Sequence, residues 1–245
     1  MLRTAETGQW PVNIIIMAGG KGTRLKPLTD STHKSLIPVG GKPIIRHIID
    51  HLTLSGFREI HISVGHLAEQ LTGYLGDGSE LGISIRYIQE HSPMGSIGAL
   101  TLKHRWPHEH FLVINGDVYS NFDVENLCTE YFSRKADMAV LTVPNVVKVP
   151  YGVFDMDANG RISGFIEKPG YEFMVNAGVY LFNQKILDLL PKGIPYEGWQ
   201  VIQSALHAEL HVAGIPQATG YWIDIGSIEM LQKAQEMSQI DVPQE

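Results

Sequence analysis

The chain has 245 residues, of which 44% are hydrophobic and 18% are charged, and its formal net charge is −7. These values predict one large globular domain with a substantial core, and the negative charge argues against a general nucleic-acid-binding surface. The single cysteine, Cys128, excludes an intramolecular disulfide and a metal site built from cysteines.

No segment of the sequence has the pattern of a membrane anchor or an export signal. No apolar run approaches the roughly 18 residues that a membrane-spanning helix needs. Glu6, Gln9 and Pro11 interrupt the first twelve residues, which therefore lack the apolar core of a signal peptide. We expect a cytoplasmic protein without a membrane partner.

The first predicted strand, residues 13–17, leads into a glycine-rich loop and then a basic segment. Three glycines within residues 19–22 let backbone N–H groups approach a ligand, and successive N–H groups form an anion-binding concavity. Arg24 adds a planar cation for bidentate phosphate contact. Residues 21–46 hold six of the nineteen basic residues, against the single acid Asp30. This concentration of positive charge on an acidic protein predicts a triphosphate site.

Short apolar runs alternate with helical patterns along the rest of the chain, which predicts a layered sheet with crossover helices. Further strands are predicted at residues 59–64, 84–88, 111–114, 138–143 and 175–182. Helices are predicted at residues 44–54, near Gly98, after an Asp123 N-cap, at 184–190 and at 227–237. Alternating residues on either side of Asn159-Gly160 predict a β-hairpin. Without a linker or repeat, we expect one domain whose first half binds one substrate and whose second half closes the site.

Several motifs occur in an order that resembles one enzyme family. They are A-G-G-K-G-T-R-L-K-P-L-T at 18–29 followed by Lys34, P-M-G-S-I-G-A-L at 93–100, N-G-D at 115–117, E-K-P at 167–169, N-A-G-V-Y at 176–180 and W-I-D-I-G at 222–226. The set is similar to the signature of sugar-phosphate nucleotidyltransferases and spans roughly residues 14–235. Its spacing most resembles that of bacterial guanylyltransferases acting on sugar 1-phosphates.

The resemblance implies a fold, a reaction and a cofactor. The fold would be α/β, a Rossmann-like three-layer α/β/α arrangement around a mostly parallel mixed sheet. Residues of about 13–145 would form a nucleotide-binding half and about 146–237 a sugar-phosphate-binding half of one domain. A sugar phosphate oxygen would attack the α-phosphorus of a nucleoside triphosphate and release pyrophosphate, with Mg²⁺ as cofactor. A homo-oligomer is compatible with this family.

The resemblance also assigns roles to individual residues. Catalytic roles fall on Arg24, Lys34, Asp117 and Lys168. Nucleotide contacts fall on Ala18, Gly19, Gly20, Gly22, Thr23, Arg24, Glu90, Gly95 and Asp117. Sugar-phosphate contacts fall on Gly152, Glu167, Lys168, Asn176 and Gly178. The metal ligands would be Asp117 and Asp224. An unpaired carboxylate between Ile223 and Ile225 would be costly; a metal ion or a buried salt bridge would remove that cost, and we favour the metal ion.

The base is the least determined part of this assignment. Glu90, three residues before Pro93, can accept hydrogen bonds from both guanine donors, which favours GTP. The neighbouring Gln89 keeps UTP and dTTP open, and cytosine also has an amino group, so CTP remains open too.

One departure from the family pattern keeps another class of function open. The usual Pro-Lys-Pro-Leu is His33-Lys34-Ser35-Leu36 here, which retains the lysine without the prolines beside it. A non-catalytic relative that binds a nucleotide sugar as a regulatory subunit is therefore the alternative from another class. The retained charged residues argue against it, because such a relative has little need of metal ligands.

Overall fold

The computed structural model describes residues 10–103, 105–217 and 219–240. The prediction about a signal peptide therefore concerns residues that lie almost entirely outside the described part. Within that part, no helix combines the length and the apolar character needed to cross a bilayer.

Thirteen strands and six α-helices make up the described fold. The strands are β1 Val12–Ala18, β2 Pro38–Val39, β3 Lys42–Pro43, β4 Glu59–Val64, β5 Ser84–Gln89, β6 His110–Asn115, β7 Val118–Ser120, β8 Met138–Lys148, β9 Val153–Met156, β10 Ile162–Ile166, β11 Gly170–Asn183, β12 Val212–Pro216 and β13 Trp222–Asp224. The helices are α1 Ile44–Leu54, α2 Ala68–Leu75, α3 Val124–Ser133, α4 Gln184–Asp188, α5 Gly198–His207 and α6 Ile228–Ile240.

A seven-stranded sheet in the order β12-β8-β11-β6-β1-β4-β5 forms the centre of the fold. Its neighbours are parallel except β11, which runs antiparallel to both β6 and β8. Successive side chains of β1 point to opposite faces, so that Ile14 and Ile16 join one buried cluster while Ile15 and Met17 join another. Both faces of the sheet are covered, and the predicted three-layer α/β/α architecture with a mostly parallel mixed sheet is confirmed.

Most predicted elements are present with small differences in their ends. Helix α1 has its predicted bounds, and the Asp123 carboxylate accepts the Asn126 N–H to cap α3. The helix predicted near Gly98 is instead a short 3₁₀ helix, Gly98–Leu102. The Ile97 and Gly98 N–H groups both donate to the Tyr196 carbonyl, so hydrogen bonds to a distant segment fix the first turn of this helix. Helices α2 and α5 have no counterpart among the predictions.

Strands β8 and β11 extend together beyond the rest of the sheet. Strand β8 continues five residues past its predicted end, and its extension pairs with residues 170–174 of β11. The pairing goes on through the Val149 N–H to Pro169 oxygen bond and into the β9–β10 hairpin. We call this projection, residues 144–175, the β-arm. Most of its residues are exposed.

Candidate active site

A cleft of about 690 Å³ lies at the carboxyl ends of β1, β4, β5 and β6. Open α/β sheets place ligands in this position, outside the ends of their parallel strands. Ten residues with predicted roles in binding, catalysis or metal coordination line the cleft: Gly19, Gly20, Gly22, Thr23, Arg24, Lys34, Glu90, Gly95, Asp117 and Asp224. The structure thus brings together residues from both halves of the chain.

The glycine-rich loop folds closely around two charged side chains. Gly22 has a φ of +62°, which favours glycine, and a Cβ atom there would lie 3.0 Å from the Cβ of Lys34. A Cβ atom on Gly19 would collide with the Glu90 carboxylate. At Gly20, in contrast, the nearest atom would be the Lys34 Nζ at 3.7 Å, an ordinary contact. Two of the three glycines are therefore required by packing within the protein.

Lys34 and the two aspartates form the charged centre of the cleft. The Lys34 Nζ donates to Oδ2 of Asp117 at 2.6 Å, and both side chains are largely buried. The Ile225 N–H donates to the Asp117 carbonyl, which ties β13 to the loop before β7. Burial raises the pKa of Asp224, and the negative charge of Asp117 raises it further, whereas Arg24 and Lys34 act in the opposite direction. Two cations and two carboxylates thus meet at one end of the cleft.

The two aspartates at this end of the cleft offer the kind of ligand that a divalent cation prefers. Both offer hard oxygen ligands, and Asp224 is partly buried beside a second carboxylate, that of Asp117. Across the described residues, no group of three or more His, Cys, Asp or Glu side chains is arranged to hold a metal. Two carboxylates fit Mg²⁺, which is commonly held by one or two carboxylates together with substrate phosphates and water.

The Arg24 guanidinium lies directly against Gly226. A Cβ atom at residue 226 would come within 2.7 Å of Nη2 and 2.9 Å of Cζ. Because Gly226 has no side chain, the guanidinium can occupy this space, two residues after Asp224 in the sequence. Sequence reasoning did not assign Gly226 a role, although it ends the W-I-D-I-G motif.

His33 occupies the position where the family pattern has proline, and it makes two hydrogen bonds through its ring. The ring is fully buried, donates from Nε2 to the Ala18 oxygen at 2.9 Å and accepts the Ser35 N–H at Nδ1 at 3.1 Å. Burial lowers the pKa of His33, and these partners require the neutral tautomer protonated at Nε2. The backbone N–H of His33 also donates to Gln70 at 2.8 Å. The turn that presents Lys34 is therefore held firmly without the prolines.

Ala18 lies behind the wall of the cleft, with no exposed surface. It is fully buried, its carbonyl accepts from His33, and its N–H donates to the Ser63 hydroxyl at 3.2 Å. Its backbone groups are thus engaged within the protein. Ala18 is not among the residues that line the cleft, and its contact with the nucleotide stays a prediction.

Glu90 lies at the end of β5 with most of its surface buried. Its Oε2 accepts the Met94 N–H at 3.1 Å, while Oε1 is buried and has no hydrogen-bond partner within the described structure. Burial raises the pKa of Glu90, against the opposing effect of the nearby Ser63 hydroxyl and the Met94 N–H. Glu90 therefore brings a largely buried carboxylate to the wall of the cleft, where Ser63 and the Met94 N–H also act on it.

The sequence over residues 13–239 matches a family model described as nucleotidyl transferase. This chain belongs to the nucleotidyl transferase family. The resemblance drawn from the sequence motifs is confirmed.

Relatives within the nucleotidyl transferase family carry different base specificities in their names. Mannose-1-phosphate guanylyltransferase of Mycobacterium tuberculosis is 30% identical over 224 residues, which is 89% of this chain and 62% of the relative. UTP–glucose-1-phosphate uridylyltransferase of Synechocystis is 30% identical over 236 residues, which is 87% of this chain and 60% of the relative. The solved structure of HddC from Yersinia pseudotuberculosis has a TM-score of 0.71 and 25% identity, covering 92% of this chain and 99% of that chain. The chain spans about three fifths of the length of these two curated relatives.

Hydrogen bonds to Glu197, which the sequence analysis did not predict, hold the loop of residues 93–98 on one wall of the cleft. The Glu197 carboxylate accepts from the Ser96 N–H at 3.0 Å and from its hydroxyl at 2.6 Å, and the Gly198 N–H donates to that hydroxyl. Gly95 fits only as glycine, because a Cβ atom would lie 2.5 Å from the Tyr196 oxygen. Glu197 belongs to no recognised motif, so the sequence offered no signal for it.

The five predicted sugar-phosphate residues fall into two groups, and none of them lines the cleft. Gly152, Glu167 and Lys168 lie together on the β-arm, where a Cβ atom on Gly152 would collide with Phe165 and lie 3.0 Å from a Glu167 oxygen. The Lys168 N–H donates to the Tyr151 oxygen across the arm.

Asn176 and Gly178 form the second group, at an irregularity in the pairing of β11 with β8. The Asn176 side chain donates to the Tyr180 hydroxyl and accepts the Gly178 N–H. A Cβ atom on Gly178 would lie 2.6 Å from the Asn115 Nδ2, and Asn115 lines the cleft. This second group therefore lies next to Asn115, a residue of the cleft wall, and not on the wall itself.

Proposed function

We propose that this chain transfers a nucleotidyl group from a nucleoside triphosphate to a sugar 1-phosphate and releases pyrophosphate. The observation that carries the proposal is the convergence of Arg24, Lys34, Asp117 and Asp224 beside the glycine-rich loop in one cleft. Such a centre suits phosphate chemistry in which the protein supplies positioning and charge neutralisation rather than a nucleophile.

The reaction balances without a proton transfer. An anionic oxygen of the sugar phosphate forms a bond to the α-phosphorus, and the bond between that phosphorus and the bridging oxygen to the β-phosphorus breaks. Pyrophosphate leaves with the electron pair. Amides of the glycine-rich loop and the Arg24 guanidinium would hold the β- and γ-phosphates, while Lys34 would neutralise charge at the α-phosphate. Asp117 and Asp224 would hold Mg²⁺, which supplies further charge neutralisation when bound.

We favour GTP as the donor. Glu90 lines the cleft, and the two oxygens of its carboxylate suit the N1–H and N2–H donors that guanine presents side by side. The name of the Mycobacterium tuberculosis relative supports the same base. The uridylyltransferase from Synechocystis keeps UTP as the competing candidate.

We assign the acceptor to the second half of the domain, residues of about 146–237, and the donor to residues of about 13–145. Glu167 and Lys168 would bind the sugar 1-phosphate from the β-arm, with Gly152 beside them and Asn176 and Gly178 at the base of the arm. Glu197, which lies in the same half of the chain, contributes in a different way, because its carboxylate holds a wall of the cleft through Ser96. The product, a nucleotide sugar, would be made in the cytoplasm, the compartment expected from the sequence.

The experiment that tests this proposal measures pyrophosphate release for GTP, UTP, CTP and dTTP, each combined with a panel of sugar 1-phosphates. We expect release only when a triphosphate and a sugar 1-phosphate are both present, with GTP giving the highest kcat/KM. Binding of a nucleotide sugar without turnover for any pair would contradict transfer and support the regulatory alternative.

A further inference from the structure

The loop of residues 93–98 on the wall of the cleft is bound to a segment from the other half of the chain through backbone groups. The Tyr196 N–H donates to the Met94 oxygen at 2.9 Å. The Tyr196 oxygen accepts the Ile97 and Gly98 N–H groups at 3.1 and 3.2 Å. Because all three bonds join backbone groups, they anchor the two ends of the loop whatever side chains lie between them.

The middle of this loop is held by a side-chain contact, that of Ser96 with Glu197. The Glu197 Oε2 accepts both the N–H and the hydroxyl of Ser96, at 3.0 and 2.6 Å. Hydrogen bonds to an ionised carboxylate are shorter and about twice as strong as those between neutral groups. The Ser96 hydroxyl also accepts the Gly198 N–H at 2.9 Å, which fixes the direction in which it donates. Substitution of Glu197 therefore releases the middle of the loop and leaves the backbone bonds at its ends.

The same loop contacts Glu90, the candidate residue for reading the base. The Met94 N–H donates to the Glu90 Oε2 at 3.1 Å, and Gly95 alone separates Met94 from Ser96 in the sequence. Glu90 and Glu197 both line the cleft. A displacement of Ser96 reaches the Met94 N–H across one residue, so the orientation of the Glu90 carboxylate depends on where Glu197 holds the loop.

We propose that Glu197, acting through Ser96, is a positioning residue that sets how well the cleft discriminates guanine from uracil. The inference rests on the proposed function, and it makes a residue of the acceptor half responsible for the choice of donor. A carboxylate reads two adjacent donors only when both of its oxygens are aligned with them. Without the Ser96 contact, the Met94 N–H no longer holds Glu90 in place and discrimination falls. The chemical step, which depends on the charged centre of the cleft, is affected much less.

The test is the binding of the α,β-methylene analogues of GTP and UTP, which cannot be turned over, measured by calorimetry. Glu197→Ala and Ser96→Ala are each expected to move the ratio of the two affinities about tenfold toward one. The double variant is expected to match the single variants, because the effects of two residues in direct contact do not add.

Conservative variants and a matched control separate positioning from a general loss of structure. Glu197→Gln keeps an acceptor and Ser96→Thr keeps a hydroxyl, so both are expected to retain most of the wild-type ratio. Glu236→Gln changes an exposed glutamate on α6 and is expected to leave the ratio unchanged.

Two further measurements show where the effect arises. Hydrogen exchange without ligand is expected to become faster at the amides of residues 94–98 in Glu197→Ala, while β1 keeps its protection. Steady-state kinetics of the same variant are expected to give a kcat and a KM for the sugar 1-phosphate within about twofold of the wild type.

The inference and the proposed function fail in different ways. An affinity ratio that stays unchanged in both alanine variants would overturn the inference and leave the proposed function standing. A wild type that binds neither analogue would contradict the proposed function, and the inference with it.

Discussion

The imidazole of His33 donates from Nε2 to the carbonyl oxygen of Ala18 at 2.9 Å, joining the turn that presents Lys34 to the start of the glycine-rich loop. The other ring nitrogen accepts the Ser35 N–H, so one buried side chain fixes both segments. The ring supplies the rigidity that the family pattern obtains from proline.

His33→Ala is expected to remove both ring hydrogen bonds. At about 0.5–1.5 kcal/mol for each bond, the free energy of unfolding should fall by about 1–3 kcal/mol. Displacement of Lys34 should lower kcat about tenfold, equivalent to about 1.4 kcal/mol. Thermal unfolding and steady-state kinetics measure the two effects.

His33→Pro is the informative companion variant. The φ of His33 is −58°, which proline adopts, although proline cannot donate to Gln70. Its kcat should therefore lie between those of the wild type and His33→Ala. Equal kcat values for all three proteins would show that His33 does not position Lys34.

Gly226→Ala is expected to displace the Arg24 guanidinium, because the new methyl group would lie 2.7 Å from Nη2. Loss of an aligned contact between Arg24 and phosphate should raise the KM for the triphosphate about tenfold, with a smaller change in the KM for the sugar phosphate. Gly214→Ala is the control, since its nearest contact would be an ordinary 3.6 Å. A similar change in both variants would refute the role of Gly226.

Asp117→Asn and Asp224→Asn are expected to lower kcat by roughly a hundredfold or more while preserving the fold, because each removes a carboxylate that would hold Mg²⁺. Turnover should stop in EDTA and return with Mg²⁺ or Mn²⁺. Asp188→Asn, an exposed substitution on α4, is the control and should be unaffected. Near-normal kcat for either cleft variant at saturating Mg²⁺ would refute the metal assignment.

Glu90→Gln is expected to reduce the preference for GTP more than it reduces activity with UTP. An amide in this position sets a donor against one of guanine's two donors, a loss of about 1–3 kcal/mol by analogy with base readout in nucleic acids. Competition of GTP against UTP, CTP and dTTP measures the change. A GTP preference that the substitution leaves intact would exclude Glu90 as the residue that reads the base.

The sheet and the centre of the cleft were both predictable from the sequence. Apolar runs located β1 and β4 to within a residue, because both strands are buried on both faces. The motif order assigned Arg24, Asp117 and Asp224 to one site, and the structure brings all three to the same cleft.

The unpredicted features depend on contacts between segments that are distant in the chain. No periodic pattern in the sequence marks the hydrogen bonds of His33 or the space at Gly226. The same is true of the hydrogen bond between Glu197 and Ser96. The 3₁₀ helix at Gly98 has the same origin, since Tyr196 determines its first turn. Local propensity alone does not contain this information.

The most direct test of the central claim follows labelled phosphorus through the reaction. With GTP labelled at the α-phosphate, we predict that the label enters a nucleotide sugar in amounts equal to the sugar 1-phosphate consumed. With GTP labelled at the γ-phosphate, we predict that all released label is in pyrophosphate. Label from the γ-position in the sugar product or in inorganic phosphate, without pyrophosphatase present, would contradict nucleotidyl transfer.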